Sequence, residues 1–195
     1  EATATFNGCP IIRNKKTYLI YRAMSEAQLL KEPHIKMSVI ARGISDDHAH
    51  FGDHKVLVHP DHPFDKFGCE DPRVTLLDGT YYIFYTALGG YPFSSDTIRT
   101  AVALSDDLDT ITEKHQVTPF NAKGIAMFPE KINGKIGVLL TINSDCPPSE
   151  ICYAEFDKPE DMWKADYWNE WKKSVDAHKI HIRRLPSAHL ELGAA

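Results

Sequence analysis

An internal repeat restricts the fold of this chain more than any other feature of its sequence. Three segments follow one order: a short apolar stretch with a proline, a polar turn, an aliphatic or tyrosine-rich strand and then a second strand. Their prolines, Pro10, Pro72 and Pro129, are spaced 62 and then 57 residues apart. Self-similarity of this kind is typical of architectures in which each repeat is one supersecondary unit packed on its neighbours.

Polar turns divide each repeat into a hairpin. The turns are Asn14-Lys15-Lys16, Asp78-Gly79 and Asn133-Gly134, and Ser-Asp-Asp follows twice, at Ser45 and at Ser105. Asp-Gly and Asn-Gly between apolar runs are strong hairpin signals, because both turn positions need a positive φ. Several strands per repeat with little helix predict the four-stranded blades of a β-propeller. The alternative is a β-sandwich that contains similar hairpins.

Three repeats, with a fourth beginning at His189-Leu190-Glu191, do not close a ring. An open ring would leave strand edges exposed, which folded proteins avoid. We therefore expect residues 1–195 to form a single propeller domain that is incomplete at its C-terminus. The sequence does not begin with methionine, so it predicts no compartment.

Composition excludes several classes of protein. Lys and Arg number 22 against 27 Asp and Glu, a net charge of −5, which argues against a nucleic-acid binder. No stretch approaches the roughly 18 to 20 apolar residues of a membrane span. The cysteines form no CxxC pair, which predicts free and mostly buried thiols rather than a zinc or redox site; they are Cys9, Cys69, Cys146 and Cys152.

One segment departs from the all-β pattern. Pro159-Glu160-Asp161 is a helix start, and Trp168 and Trp171 follow at helical spacing between Asp157 and Val175. An aromatic stripe of this kind predicts packing against the core, with sugar stacking as the alternative.

The motif Glu70-Asp71-Pro72-Arg73 places two acids and an arginine at the entrance to a strand. Pro72 fixes its own φ and biases Asp71 towards an extended conformation. Paired carboxylates in a cleft are what glycoside hydrolysis needs, since one donates a proton and the other activates water or attacks. Taken alone, the motif could equally be a surface ion pair at a turn.

Six ordered motifs together resemble glycoside hydrolase family 130, the β-mannoside phosphorylases and β-1,2-mannosidases. They are Phe6-Asn7, Tyr21-Arg22-Ala23, Glu70-Asp71-Pro72-Arg73, Tyr85-Thr86-Ala87, Phe128 to Lys135, and Glu191-Leu192. The resemblance implies a five-bladed β-propeller, of which this chain would cover roughly the first three blades and the start of the fourth. It also implies a β-linked manno-oligosaccharide as substrate and no cofactor.

The resemblance assigns roles to individual residues. Asp71 matches the general acid, which in the phosphorylases can act through a sugar hydroxyl. Six further residues group by the part of the substrate that they would bind. Asn7, Arg22, Glu70 and Arg73 would bind the mannoside, whereas Arg99 and Lys123 match the basic positions that hold phosphate.

One departure from the family favours water over phosphate as the nucleophile. The phosphorylases usually carry a His-Arg pair where this chain has Thr141-Ile142-Asn143. Glu150 and Glu191 stand where the hydrolytic members carry an acidic pair, and two carboxylates would repel phosphate and deprotonate water. We therefore predict an inverting β-1,2-mannosidase, with the acid and the base about 6.5 to 9.5 Å apart.

The alternatives are a phosphorylase that releases mannose 1-phosphate and a sugar-binding propeller without activity. Glu150 could also be a solvated acid at a strand end, and Glu191 part of an ion pair at a blade edge. Five histidines between His48 and His62 lie near four aspartates, but their spacing matches no metal-ligand motif. We expect a solvated or sugar-facing loop there and no metal site.

Overall fold

The strands form three antiparallel sheets in chain order, as a computed structural model shows for residues 2–30 and 35–181. The first sheet contains β1 (Ala2–Arg13), β2 (Lys16–Leu30), β3 (Ile35–Ser45) and β4 (Gly52–Val58). The second contains β5 (Cys69–Leu77), β6 (Thr80–Leu88), β7 (Ile98–Ser105) and β8 (Glu113–Gln116). The third contains β9 (Ala122–Met127), β10 (Ile136–Ile142) and β11 (Glu150–Phe156). Strands that are consecutive in sequence pair in space, so each sheet is a meander.

The predicted hairpin turns are confirmed. Asn14 and Lys15 connect β1 to β2 with φ of 51° and 65°, and Asp78-Gly79 connects β5 to β6 with φ of 50° and 91°. Asn133-Gly134 makes the third turn, with φ of 52° and 82°. Two consecutive residues with positive φ match the right-handed twist of the flanking strands, which is why Asn, Asp and Gly occur at these positions.

The repeated Ser-Asp-Asp motif also has one structure in both repeats. Asp47 Oδ1 accepts hydrogen bonds from the backbone N–H groups of Ala49 and His50, at 3.0 and 2.8 Å. Asp107 Oδ1 accepts equivalent bonds from Asp109 and Thr110, both at 2.8 Å. These aspartate-capped turns join the third strand to the fourth in the first two sheets, because a short carboxylate can satisfy the backbone where the ladder ends.

The sheets pack in series rather than as one facing pair. Strand β5 lies against β1, β2 and β3, and strand β9 lies against β5, β6 and β7. The first interface buries Ile20, Ile40 and Ile83, and the second buries Phe84 and Leu140. This arrangement does not fit a two-sheet sandwich, and it brings the first strands of consecutive sheets side by side.

The third sheet differs from the predicted four strands, because it has three within the described ranges. Beyond it, Lys179 forms an isolated bridge to Cys152, and the Ile180 N–H donates to the Ile151 carbonyl at 2.8 Å. The chain therefore returns to the outer edge of β11. The sheets formed by residues 2–30 and 35–181 do not close a ring, and five blades stay a prediction. The predicted fourth repeat at 189–191 lies outside the described residues.

The predicted helical segment is confirmed, and its tryptophans belong to the core. A 3₁₀ helix (Pro159–Trp163) precedes α1 (Ala165–Lys173) and α2 (Val175–His178). Trp168 is 0% exposed and Trp171 is 5% exposed. Trp168 Nε1 donates to the Met162 carbonyl at 2.7 Å, so the indole is fully satisfied inside the protein. Neither ring is available to stack on a sugar, and the sugar-stacking alternative is wrong.

The described helices include none long and apolar enough to span a membrane. All four cysteines are free thiols. Cys69 and Cys152 are buried and Cys9 is half-buried, as predicted, but Cys146 is exposed.

Candidate functional site

Each sheet carries a bulge in its first strand, and the bulges mark the site. The pairing of β1 with β2 shifts after Phe6, that of β5 with β6 shifts after Glu70, and that of β9 with β10 shifts beside Lys123. The residue after each of these has a positive φ: Asn7 at 49°, Asp71 at 53° and Gly124 at 59°. A bulge re-aims the side chain next to it and is frequent beside active sites.

These bulges correct the register of the repeat. Asn7 and Asp71 each lie seven residues before their hairpin turn, so they are structurally equivalent, and Gly124 follows in the third sheet. Pro10 lies three residues beyond its bulge, whereas Pro72 lies one residue beyond. The prolines therefore do not mark equivalent positions. The predicted extended conformation of Asp71 is wrong as well, because its φ is 53°.

Asp71 is held from the first sheet. Asn7 Nδ2 donates to Asp71 Oδ1 at 2.6 Å, and Arg22 Nη1 lies 3.4 Å from the same oxygen. The Asp71 side chain stays 38% exposed. Asn7 and Asp71 both have a left-handed backbone. In a non-glycine residue this conformation costs of order 1 to 3 kcal/mol, and such strain clusters at functional sites. The arrangement fixes one carboxylate oxygen and leaves the group accessible from solvent.

Arg22 connects the two acids of the motif. Its Nη2 is 2.5 Å from Glu70 Oε1, and its Nε donates to Ser38 Oγ at 3.1 Å. Its guanidinium also lies over the Phe6 ring, 5.3 Å from the centroid. A planar group with several fixed donors suits this task, since it can bind carboxylates and stack on a ring at the same time.

Glu70 is a partly buried acid with a perturbed pKa. Burial raises the pKa of Glu70 and so does the Asp71 charge, while Arg22 and Lys123 lower it; burial has the largest effect, and the net direction is upward. Lys123 is thus close enough to act electrostatically on Glu70, although it belongs to another sheet. Direct contacts therefore join Asn7, Arg22, Glu70 and Asp71, and Lys123 acts on Glu70 through its charge.

Lys123 has a carboxylate partner that sequence reasoning missed. Its Nζ is 2.5 Å from Asp145 Oδ1. Asn121 Nδ2 donates to Asp145 Oδ2 at 2.8 Å, and the Asp145 N–H donates to Asn121 Oδ1 at 2.9 Å. Burial alone would raise the pKa of Asp145, but the bonds from Lys123 and Asn121 outweigh it and lower that pKa. Asp145 is therefore a carboxylate at neutral pH.

Arg99 lies next to this cluster. Its Nη1 donates to the backbone carbonyls of Ser95 and Ile98, at 2.5 and 2.8 Å. Burial lowers the pKa of Arg99, with only a small opposing effect from Asp96. The Ile98 carbonyl also accepts from Asn121 Nδ2 at 3.3 Å, and Asn121 in turn binds Asp145, the partner of Lys123. In the described part of the chain, Arg99 forms no ion pair with a carboxylate.

Three predicted residues stay apart from the cluster or cannot be placed. Arg73 Nη1 donates to the Pro72 carbonyl at 2.9 Å, and its described contacts do not reach the two acids. Glu150 Oε1 accepts from Lys179 Nζ at 3.0 Å, and Lys179 also pairs with Asp176. Glu150 lies at the same end of the third sheet as Lys123, because Ile142 pairs with both Glu150 and Ala122. Glu191 lies outside the described residues.

The histidines of the β3–β4 region hold local structure. His48 Nδ1 is 2.6 Å from Thr17 Oγ1, His50 Nδ1 is 2.7 Å from Asp47 Oδ2, and His54 Nδ1 is 3.0 Å from the Tyr21 hydroxyl. Among the residues that the structure describes, no three side chains of His, Cys, Asp or Glu converge as metal ligands.

The sequence contained one unused signal for this site. Counting seven residues back from each of the first two hairpin turns identifies Asn7 and Asp71 as equivalent positions. Ser38, Asn121 and Asp145 carried no comparable signal, because each acts through a partner that only the packing of strands brings near.

Comparison with known proteins identifies the family of this chain. The family model of glycoside hydrolase family 130, described as beta-1,4-mannooligosaccharide phosphorylase, matches residues 1–173. A beta-1,2-mannobiose phosphorylase of Thermoanaerobacter sp. (strain X514) is 34% identical over 142 residues, which cover 69% of this chain and 46% of the relative. A 1,2-beta-oligomannan phosphorylase of the same strain is 33% identical over 144 residues, 71% of this chain and 46% of the relative. The chain thus spans about half the length of these relatives.

Solved structures share the fold. The beta-1,2-mannobiose phosphorylase of Listeria innocua, in complex with beta-1,2-mannobiose, has a TM-score of 0.64 at 20% identity, with 81% of this chain and 57% of that chain covered. A second structure is described as "The GH130 family of mannoside phosphorylases contains glycoside hydrolases that target beta-1,2 mannosidic linkages in Candida mannan". It has a TM-score of 0.63 at 20% identity and covers 79% of this chain and 46% of that chain.

Proposed function

Because this chain belongs to glycoside hydrolase family 130, we propose that the protein cleaves β-mannosides by phosphorolysis. The substrate would be a β-1,2-linked mannobiose or short oligomannan, and the product mannose 1-phosphate. The names of the two similar Thermoanaerobacter proteins support phosphate as the nucleophile. They favour phosphorolysis over the hydrolysis predicted from the sequence.

The observation that carries the proposal is the Asp71 carboxyl group. It is oriented by Asn7 and Arg22, stays accessible, and lies beside a second acid, Glu70. A general acid must present its proton to the leaving oxygen, and the protein must hold the carboxyl group in the right orientation. Asp71 meets both conditions, and Arg22 prevents two neighbouring carboxylates from repelling each other unopposed.

In the proposed reaction a phosphate oxygen attacks the anomeric carbon of the mannosyl unit. The glycosidic C–O bond breaks, and Asp71 gives its proton to the departing oxygen, directly or through a sugar hydroxyl. The anomeric configuration inverts because attack and departure occur on opposite faces of the ring. Asn7, Arg22 and Glu70 would position the mannosyl unit around this acid. Arg73 stays a proposed substrate ligand without a described contact to the cluster.

Phosphate would bind between Arg99 and Lys123, whose chain neighbours are in contact, since Thr100 Oγ1 donates to the Ala122 carbonyl at 2.9 Å. Among the described residues, the partly buried Arg99 guanidinium bonds to backbone carbonyls, and the charge of Lys123 acts on Glu70. Guanidinium and ammonium groups in a partly buried site are suited to phosphate oxygens. No metal or cofactor is needed for this step.

Hydrolysis remains the second candidate, and Glu150 favours it. This acid lies at the Lys123 end of the third sheet, and Thr141, which pairs with Lys123, stands where the phosphorylases have a basic residue. With Glu191 it could hold and deprotonate a water. Lys179 weakens this role, since its ammonium at 3.0 Å already occupies one oxygen of the carboxylate.

The three sheets would be the first three of five blades in a single catalytic domain to which residues 1–195 belong. Serial packing and the equivalent bulges of β1, β5 and β9 support this arrangement. In a ring of this kind the innermost strands converge, so further blades would contribute side chains to the same cleft.

Product analysis of the full-length protein on β-1,2-mannobiose, with and without phosphate, tests the proposal. Phosphorolysis gives no cleavage without phosphate and mannose 1-phosphate with it. Free mannose in phosphate-free buffer, at a rate that millimolar phosphate does not change, would establish hydrolysis instead. Lys123→Ala should raise the KM for phosphate. The matched variant Lys131→Ala, which removes an exposed ion pair with Asp78, should leave that KM unchanged. Binding of mannobiose without any cleavage would indicate a sugar-binding protein.

A further inference from the structure

The place beside the Lys123 ammonium is already taken by a carboxylate. Asp145 Oδ1 is 2.5 Å from Lys123 Nζ, a direct charge-assisted contact. The two side chains are 33% and 22% exposed, so the pair lies at a surface that solutes can reach. Any anion that binds Lys123 must share its ammonium with Asp145 or displace it.

Asp145 cannot easily leave. Its second oxygen accepts from Asn121 Nδ2, its backbone N–H donates to Asn121 Oδ1, and Ser144 Oγ lies 3.3 Å from the same carboxylate. The Asn143 N–H also donates to the Asn121 carbonyl at 3.1 Å, which holds the loop after β10 against β9. Asp145 therefore stays in place as a fixed negative charge rather than a mobile side chain.

We propose that Asp145 is a specificity-determining residue that weakens phosphate binding at Lys123 by occupying its anion position. The inference rests on the proposed function, because it assigns phosphate to the Lys123 site. Like charges at neighbouring positions disfavour each other, and the effect is strong where solvent screening is incomplete. The uncharged nucleophile, water, experiences no such repulsion. Asp145 thus shifts the balance between the two nucleophiles towards water.

Neutralising Asp145 separates this role from a purely structural one. Asp145→Asn keeps the shape of the side chain and its ability to bond to Asn121, but removes the charge. We expect phosphate to bind about two- to fivefold more tightly, the size typical of one partly exposed charge pair. The KM for phosphate should fall by the same factor, while the KM for the mannoside stays unchanged. If Asp145 mainly oriented Lys123, its loss would weaken phosphate binding.

The experiment is a calorimetric titration of the full-length protein with inorganic phosphate, in wild type and variants. Asp145→Ser is a second neutral variant, and Asp157→Asn is the matched control. Asp157 also pairs with a lysine, Lys135 at 3.2 Å, which precedes β10 at the end away from Lys123. Lys123→Ala in the Asp145→Asn background should remove the gain in affinity.

Equal or weaker phosphate binding by both neutral variants would overturn the inference, and so would an equal gain in the Asp157→Asn control. The titration measures phosphate binding directly and does not require the protein to cleave a substrate. If the wild type released only free mannose, phosphorolysis would fail as the proposed function, while the change in phosphate affinity would still decide the role of Asp145.

Discussion

Asn7 and Asp71 are 64 residues apart in sequence and occupy equivalent bulges in two neighbouring sheets, where the Asn7 amide donates to the Asp71 carboxyl group at 2.6 Å. Both backbones are left-handed, at φ of 49° and 53°. The contact therefore joins the same position of two successive repeats. In one repeat that position carries the candidate acid, and in the other it carries the group that orients it.

Asp71→Asn should abolish turnover and leave the fold intact. An amide is nearly isosteric and tolerates a left-handed backbone, but it cannot donate a catalytic proton, and general acid catalysis is worth about 10² to 10⁴-fold. The measurement is kcat on a β-mannoside with a poor leaving group, with thermal unfolding as the check of stability. Asp106→Asn, at an exposed position, is the control. More than a tenth of wild-type activity in Asp71→Asn would contradict the assignment.

Asn7→Gly should lower kcat without loss of stability. Glycine adopts the positive φ of this position without strain but removes the amide that holds Asp71. A hydrogen bond to a charged group is worth about 1.5 to 3 kcal/mol, which corresponds to roughly tenfold or more in rate. Comparison with Asn7→Ala separates the loss of the amide from backbone strain, since alanine loses the same amide but is strained at this positive φ. Equal activity of Asn7→Gly and wild type would show that Asn7 does not orient the acid.

Lys114→Met should strongly destabilise the second sheet. Lys114 Nζ is 2.7 Å from Asp65 Oδ2, its side chain is 6% exposed and that of Asp65 is 0% exposed. The Tyr85 hydroxyl donates to the same oxygen at 2.8 Å. Loss of the lysine leaves a buried carboxylate without its cation, which costs about 3 to 5 kcal/mol of unfolding free energy.

Urea unfolding measures this loss, and Asp65→Asn in the Lys114→Met background should recover part of it, because the buried charge is then removed. Lys173→Met is the control, since it removes an exposed helix pair with Glu170. A Lys114→Met variant as stable as the Lys173→Met control would show that the buried pair does not stabilise the sheet.

Thiol labelling at pH 8 should modify Cys146 well before Cys152. The thiolate is the reactive form, and burial raises the pKa of Cys152 to about 11, so at pH 8 very little of this thiol is ionised. Cys146 is exposed, and Cys69 is buried with a pKa that burial and the Asp65 charge raise strongly. Iodoacetamide treatment followed by peptide mass spectrometry gives the order. Fast labelling of Cys152 in the folded protein would contradict the packing of β11.

The sequence alone determined the repeat, the hairpins and the motif with the candidate acid. Asn14-Lys15, Asp78-Gly79 and Asn133-Gly134 could be recognised because a positive φ is a local requirement that few residues meet. The helix after Asp157 could be recognised for a similar reason, since its start and its aromatic spacing are local patterns. The resemblance to the family extended these patterns to roles for individual residues.

The tertiary structure alone decided which side chains meet. The sequence paired the repeats by their prolines, which would make Cys9 the equivalent of Asp71. A bulge shifts the strand register, and this shift makes Asn7 the equivalent of Asp71 instead. Asp145 reaches Lys123, and Lys179 reaches Glu150, because strands distant in sequence end at the same edge of one sheet. Such contacts depend on register and packing over long sequence distances, and neither is encoded in a local pattern.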